Sequence, residues 1–210
     1  MIMEYSNKFN NKIEKIINIE WDMFQNVHNI GGRASCQDDR RTFYIMRGSQ
    51  FFCWNDKMTE LYLNFLERAQ HEGRNLVAEK YGYMMKYTDP EYYETEIKPF
   101  VPVVSEHAKA VTGQILSILL PWEKEFTENY PKLAGASRPT TSIEDDEGFI
   151  SVETYEKGEL YTYPEDLLDI YLDYVKKLKK EGKSMSVMTR DTMVKLYGFF
   201  SLGEAEAIMK

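Results

Sequence analysis

Apolar residues recur three and four positions apart along most of the chain. Ile13, Ile16, Ile17, Trp21, Phe24 and Val27 set the rhythm, which predicts an amphipathic helix over roughly residues 7 to 28, stopping before Gly31-Gly32. A second helix carries Phe43, Met46, Phe51 and Trp54 and can be capped by Asp38 or Asp39; a third, capped by Asn55 or Asp56, ends at Gly73. Asn75 opens a fourth. From Asp89 to Ser105 the prolines predict a connector with one short helix at "DPEYY", where Asp precedes Pro. A further helix begins near Ser105 and reaches Trp122 and Phe126 before "YPKLAGASRPTTSIEDD" breaks the pattern. The period throughout is near 3.6, so the fold class expected is all-α, with about eight to ten helices and no sheet beyond a short ribbon.

The order of signals then repeats. Trp21 and Phe24 are followed by a loop arginine, Ser35-x-x-Asp38-Asp39, a helix, an aromatic and a longer helix ending at Gly73; Trp122 and Phe126 are followed by Arg138, Ser142-x-x-Asp145-Asp146, a helix, Tyr163 and a helix ending at Gly182. One constant offset pairs Gly73 with Gly182, Trp54 with Tyr163, Tyr62 with Tyr171 and Leu63 with Leu172, while Ser35 and Ser142 need a two-residue indel. The reading is a single compact domain over residues 1–210, a bundle of two similar helical repeats packed about a pseudo-twofold axis. The repeats cover approximately residues 20–85 and 121–200, with a connector at 86–120. A cleft between such repeats is a natural ligand site.

Composition narrows the function classes. A formal net charge of −8, with lysines clustered only from Lys176 to Lys180, argues against a nucleic-acid partner. No stretch approaches the roughly 18 apolar residues of a spanning helix, and the N-terminal segment lacks the apolar core and cleavage site of a leader. No membrane and a cytoplasmic location are therefore expected. Cys36 and Cys53 are the only cysteines and His28, His71 and His107 lie far apart, so free thiols and no zinc site are expected. No motif specifies a cofactor.

Candidate chemistry gathers between Gly31 and Gln50. Glu20 shares the apolar stripe of the first helix and should point inward, where a carboxylate needs a partner; a salt bridge to a loop arginine such as Arg33 is the structural account, a general base or metal ligand the chemical one. Arg33, after two glycines, can grip a carboxylate or phosphate or tie down Asp38 or Asp39. Capping needs only one of those aspartates, which leaves the other as a candidate acid or base. Cys36, before a helix N-terminus and near Arg33, Arg40 and Arg41, is a candidate nucleophile, against an inert thiol. Gln37, Arg47 and Gln50 are candidate ligand-binding groups, the last two sharing a face with Phe43, Met46 and Trp54. Lys80 either lies with Glu79 on a solvated helix face or reaches the cleft, and Arg138 would approach from the second repeat.

"GGRASCQDD", "IMRGSQFFCW", "EGRNLVAEKYGYMM", "YPKLAGASRP" and "ETYEKGELYTY" resemble the bacterial and archaeal family known as domain of unknown function 4125, over nearly the whole chain. The resemblance implies no mechanism. Two readings stand. In one, the inter-repeat cleft binds a small anionic metabolite through Arg33, Gln37, Arg47, Gln50, Lys80 and Arg138, and Glu20, Cys36, Asp38 and Asp39 are the groups available if the ligand is turned over. In the other, the same residues form the packing network of a non-catalytic structural or protein-interaction module.

Overall fold

The computed structural model describes residues 9–28, 32–135, 138–145 and 150–209. The chain is 77% helical, with 11 α-helices and no strand among the described residues. The all-α expectation holds. Backbone contacts divide it into two compact units, Met1–Ala78 and Glu79–Lys210.

In the first unit, α1 (Asn11–Gln25) starts where the Asn10 side chain accepts from the amides of Lys12 and Ile13, at 3.1 and 3.0 Å. It buries Ile13, Ile16, Ile17, Glu20 and Phe24 as the sequence predicts, together with Met23, while Trp21, placed on the same stripe, is half-buried. It ends sooner than residue 28 because the carbonyls of Phe24 and Val27 are taken by the Gln37 side-chain amide, at 2.8 and 3.1 Å, and the Asn26 side chain turns back to the carbonyl of Asp22. Asp39, not Asp38, caps α2 (Arg40–Phe52), accepting from the Thr42 amide at 2.9 Å. That capping hydrogen bond holds the Asp39 carboxyl below its ordinary range. Asn55 caps α3 (Asp56–His71). Both α2 and α3 pack on α1. The face α2 buries is Tyr44, Ile45, Gly48, Ser49 and Phe51; Met46, placed by the sequence among the inward residues, is 48% exposed.

Helix α4 (Leu76–Thr88) crosses the boundary at Ala78, and Asn75 caps it by accepting from the Ala78 amide at 2.9 Å. Asp89 caps the one-turn α5 (Pro90–Tyr92), as "DPEYY" foretold, and Ser105 caps α6 (Glu106–Asn129). Helix α6 is the spine of the second unit. It runs through Pro121 and packs against α7 (Pro131–Gly135), α8 (Val152–Leu160), α9 (Glu165–Lys180) and α10 (Met185–Tyr197), while α11 (Leu202–Ile208) closes on α7 and α10. The short α7 lies inside the stretch read as irregular. Phe126, Val194, Leu202 and Ala205 form a core there, each large side chain contributing about 1.5–3 kcal/mol by leaving water.

Two pairs of helices agree in length. Helices α3 and α9 have 16 residues each, and α4 and α10 have 13 each. Gly73 and Gly182, at φ +73° and +67°, let the next amide return to the carbonyls of Ala69 and Leu178, both at 2.9 Å.

Candidate functional site

Arg33 stands at the start of the loop into α2. Its Nε donates to Asp38 at 3.0 Å, and its Nη2 donates to Gln25 at 2.5 Å and to the carbonyl of Gln37 at 2.9 Å. Gln37 is 1% exposed; it accepts from the Ala34 amide and donates to the end of α1. Arg33, Gln37 and Asp38 thus stitch the loop to α1, and the aspartate spared from capping is the one Arg33 holds. Gly32 has φ +87°, the turn expected of it, and Gly31 lies outside the described residues. Cys36 is exposed in the Ser35–Asp38 turn, and Arg40 is directed to Asn18 at 2.7 Å and to the Trp21 ring.

One turn above, Glu20 is 2% exposed and fully engaged. Arg47 grips it from α2, Nε to Oε2 at 2.7 Å and Nη2 to Oε1 at 2.6 Å, while the Tyr62 hydroxyl of α3 donates to Oε1 at 2.6 Å. Arg47 Nη1 donates to Gln50 at 2.5 Å, and its guanidinium lies 4.7 Å from the centroid of the Phe51 ring. The partner of Glu20 is therefore Arg47, not Arg33. The reason is reach: Arg47 rises from the α2 face packed on α1, whereas Arg33 is spent at the end of α1. Such a forked pair among aromatic walls ties three helices together, and losing one member leaves a buried charge.

The second unit holds two analogous carboxylates. Glu123 of α6 takes both nitrogens of Arg190 from α10, at 3.0 and 2.6 Å, with the guanidinium 4.5 Å from the Phe126 ring centroid. Glu159 of α8 is 2% exposed; Lys80 donates to its Oε2 at 2.5 Å and the Tyr163 hydroxyl to its Oε1 at 2.6 Å. Lys80 and Glu79 are 7% and 8% exposed, so of the two places the sequence left open for Lys80 the solvated face is not the one it takes. Lys80 is buried because α4 and α8 touch at Gly158. A β-carbon there would sit 2.9 Å from the Lys80 carbonyl and 2.6 Å from Met84 Cγ.

Above this pair lies Tyr155. The Lys80 ammonium is 3.4 Å from its ring centroid and the Arg138 guanidinium 4.7 Å. Arg138 is exposed, and its Nη1 donates to the carbonyl of Ile150 at 3.1 Å. Its Nε and Nη2 have no hydrogen-bond partner, and no carboxylate pairs with it, among the described residues.

Residues 138–145 are fastened to the start of α8. The amides of Val152 and Glu153 donate to the carbonyls of Pro139 and Thr140, at 2.7 and 3.2 Å. Glu153 accepts from the amide and hydroxyl of Ser142, at 3.0 and 2.9 Å, and Asp145 accepts from the Ser151 amide and the Thr154 hydroxyl, both at 2.5 Å. Burial pushes the Asp145 carboxyl up, but the hydrogen bonds from Thr154 and Ser151 outweigh it and leave it below its ordinary value; the Ser142 amide does the same for Glu153. Asp145 thus holds the loop, and Ser151 is the cap of α8. Asp146 lies outside the described residues.

Within the first unit, then, Glu20, Arg47 and Gln50 meet, and separately Arg33, Gln37 and Asp38. Within the second, Lys80 and Arg138 meet across Tyr155. Sequence reasoning missed Tyr62, Tyr155, Glu159 and the Glu123–Arg190 pair. The available signal was the spacing Tyr155-x-x-x-Glu159-x-x-x-Tyr163, which sets two tyrosines and a carboxylate on one helical side. Among the described residues no three His, Cys, Asp or Glu side chains converge as a metal ion needs, and no helix is long and apolar enough to cross a membrane.

No curated protein and no solved structure matches the chain. A sequence family does: its model covers residues 10–207, nearly the whole chain. By that match the chain belongs to the family described as protein of unknown function, DUF4125.

Proposed function

We propose that the protein binds a small anionic molecule, with Arg138 as its anchor. The observation that carries the reading is a guanidinium held in place with one edge left over. The Tyr155 ring lies against it, Ile150 fixes Nη1, and Nε and Nη2, without a partner among the described residues, can take two parallel hydrogen bonds from a carboxylate or phosphate. An arginine already ordered loses less freedom on binding than a mobile one. Lys80, on the same ring, is paired with Glu159 and adds support to the platform rather than a second free cation.

The remaining residues fit a packing role. Arg33, Gln37, Arg47 and Gln50 are engaged within the first unit, so the anion reading rests on Arg138. Of the groups considered for turnover, Glu20 is held by Arg47 and Tyr62, Asp38 by Arg33, and Asp39 by its capping bond; Cys36 is exposed. The reading therefore assigns binding and no reaction. The alternative, a purely structural module, is favoured by the closed Glu20–Arg47–Tyr62 pairing, and in it Arg138 serves only to fasten its loop. The matched lengths and glycine-ended helices support a further part of the reading, a duplication giving repeats over residues 20–85 and 121–200.

A thermal-shift screen of phosphate and small carboxylates, with mass spectrometry of whatever co-purifies, separates the two. Anion binding raises the melting temperature of the parent and not of Arg138→Gln. Equal responses from the two proteins would leave only the structural module.

A further inference from the structure

We infer that Asp145 and Glu153 are positioning residues for Arg138, aligning its open edge for an anion that neither carboxylate touches; this rests on the anion reading above. Arg138 begins a segment that Pro139, Thr140, Ser142 and Asp145 fasten to the start of α8. Tyr155, against which Arg138 stacks, belongs to the first turn of that helix. Fixing the segment to α8 therefore fixes the guanidinium relative to its ring and to the Ile150 carbonyl.

The two carboxylates do this from opposite sides of the joint. Glu153 is on the helix and reaches back to Ser142 in the segment, accepting from both its amide and its hydroxyl. Asp145 is on the segment and reaches forward to the Ser151 amide and the buried Thr154 hydroxyl. Between them the main-chain bonds of Val152 and Glu153 to Pro139 and Thr140 close a short ladder. Pro139, with its restricted backbone, follows Arg138 directly and leaves little slack at that end. Each carboxylate bridges the segment and the helix, so removing one loosens one side of the joint without uncovering the α6 core.

The chemistry also separates holding from binding. Two carboxylates near an anion anchor would repel the anion if their charge were unspent. Here each is engaged by two donors, and Glu153 is further paired with Lys157 at 3.3 Å. Their charge goes into fastening the loop, and Arg138 keeps its own.

The test labels arginine side chains with nitrogen-15 in the whole chain and follows the Arg138 Nε resonance and inorganic phosphate titrations together. In Asp145→Ala the Nε resonance should move to the position of an unstructured arginine, and phosphate affinity should fall about tenfold, as expected when an ordered anchor becomes mobile. Asp145→Asn, which keeps an acceptor for Ser151, should restore most of both. On an Arg138→Gln background the Asp145→Ala change should add no further loss of phosphate affinity, because the aspartate acts only through the arginine. Should Asp145→Ala fail to fold, Thr154→Val removes one of the same hydrogen bonds with little change in shape. An Nε resonance unmoved by both Asp145→Ala and Thr154→Val, or a further loss on the Arg138→Gln background, overturns the inference. If the parent binds no phosphate but the resonance moves, the anion reading fails and the positioning of Arg138 stands.

Discussion

The Arg138 guanidinium carbon lies over the Tyr155 ring, 4.7 Å from its centroid, with the Lys80 ammonium 3.4 Å from the same centroid. The two cations differ in every other respect. Lys80 is buried and neutralised by Glu159; Arg138 is exposed and has no acidic partner among the described residues. On a protein of net charge −8, an exposed arginine with no carboxylate partner among the described residues offers a local positive site against an acidic background.

Glu20 and Arg47 should behave as a unit of stability. Arg47→Ala strands a carboxylate that is 2% exposed, and a loss of about 3–5 kcal/mol in urea unfolding is expected. Tyr62→Phe, which removes one donor, should cost about 1–3 kcal/mol. The exposed Arg33–Asp38 ion pair should be worth about 0–1 kcal/mol in a double-mutant cycle. An Arg47→Ala protein as stable as the parent would show that the pair is not holding α1, α2 and α3 together.

Gly158→Ala should loosen the contact between α4 and α8. The added methyl meets a backbone carbonyl at 2.9 Å, which cannot swing aside as a side chain does. A destabilisation of about 1–3 kcal/mol is expected, together with increased reactivity of Lys80 towards amine reagents. Unchanged stability and labelling would contradict the close packing that buries Lys80.

Acid should release the segment fastened to α8. Asp145 and Glu153 both titrate below their ordinary values of 3.8 and 4.5. Carboxylates with depressed folded values stabilise above their unfolded values, and that contribution is lost as pH falls through the folded ones. Hydrogen exchange at the Ser151 and Ser142 amides, corrected for intrinsic pH dependence, should therefore stay protected at neutral pH and lose protection in acid below pH 4.5. Protection that persists through that range would contradict the assignment.

The matched glycines offer a check on the proposed duplication. Gly73→Ala and Gly182→Ala each force a side chain into left-handed backbone, and neither has a neighbour within 4 Å of the new methyl. Both should cost about 1 kcal/mol, similar to one another, because the loss is conformational alone. Clearly unequal costs would show that the two helix ends are not equivalent.

The helices were legible because their signals are local. Asn55, Asn75, Asp89 and Ser105 cap the helices they precede, and the period of α1 gave Glu20 its inward direction. Partners were not legible, since periodicity assigns a face and says nothing of what faces it. Arg47 and Arg33 are both near Glu20 in sequence terms, and only the packing of α2 on α1 decides between them. Lys80 was left between a solvated face and the cleft for a related reason: its burial depends on a glycine nearly eighty residues away, whose missing side chain leaves no mark in the pattern around Lys80. No role was read for Tyr155 or Glu159, because helical spacing sets them on one side and says nothing of the two cations that the ring gathers.

The most direct measurement is a calorimetric titration of inorganic phosphate into the parent, Arg138→Gln and Arg33→Gln at low ionic strength. Saturable binding in the parent, lost in Arg138→Gln and retained in Arg33→Gln, is the expected result. Equal binding by all three proteins, or none by the parent and by the other small anions tried, would contradict the assignment of Arg138 as an anion anchor.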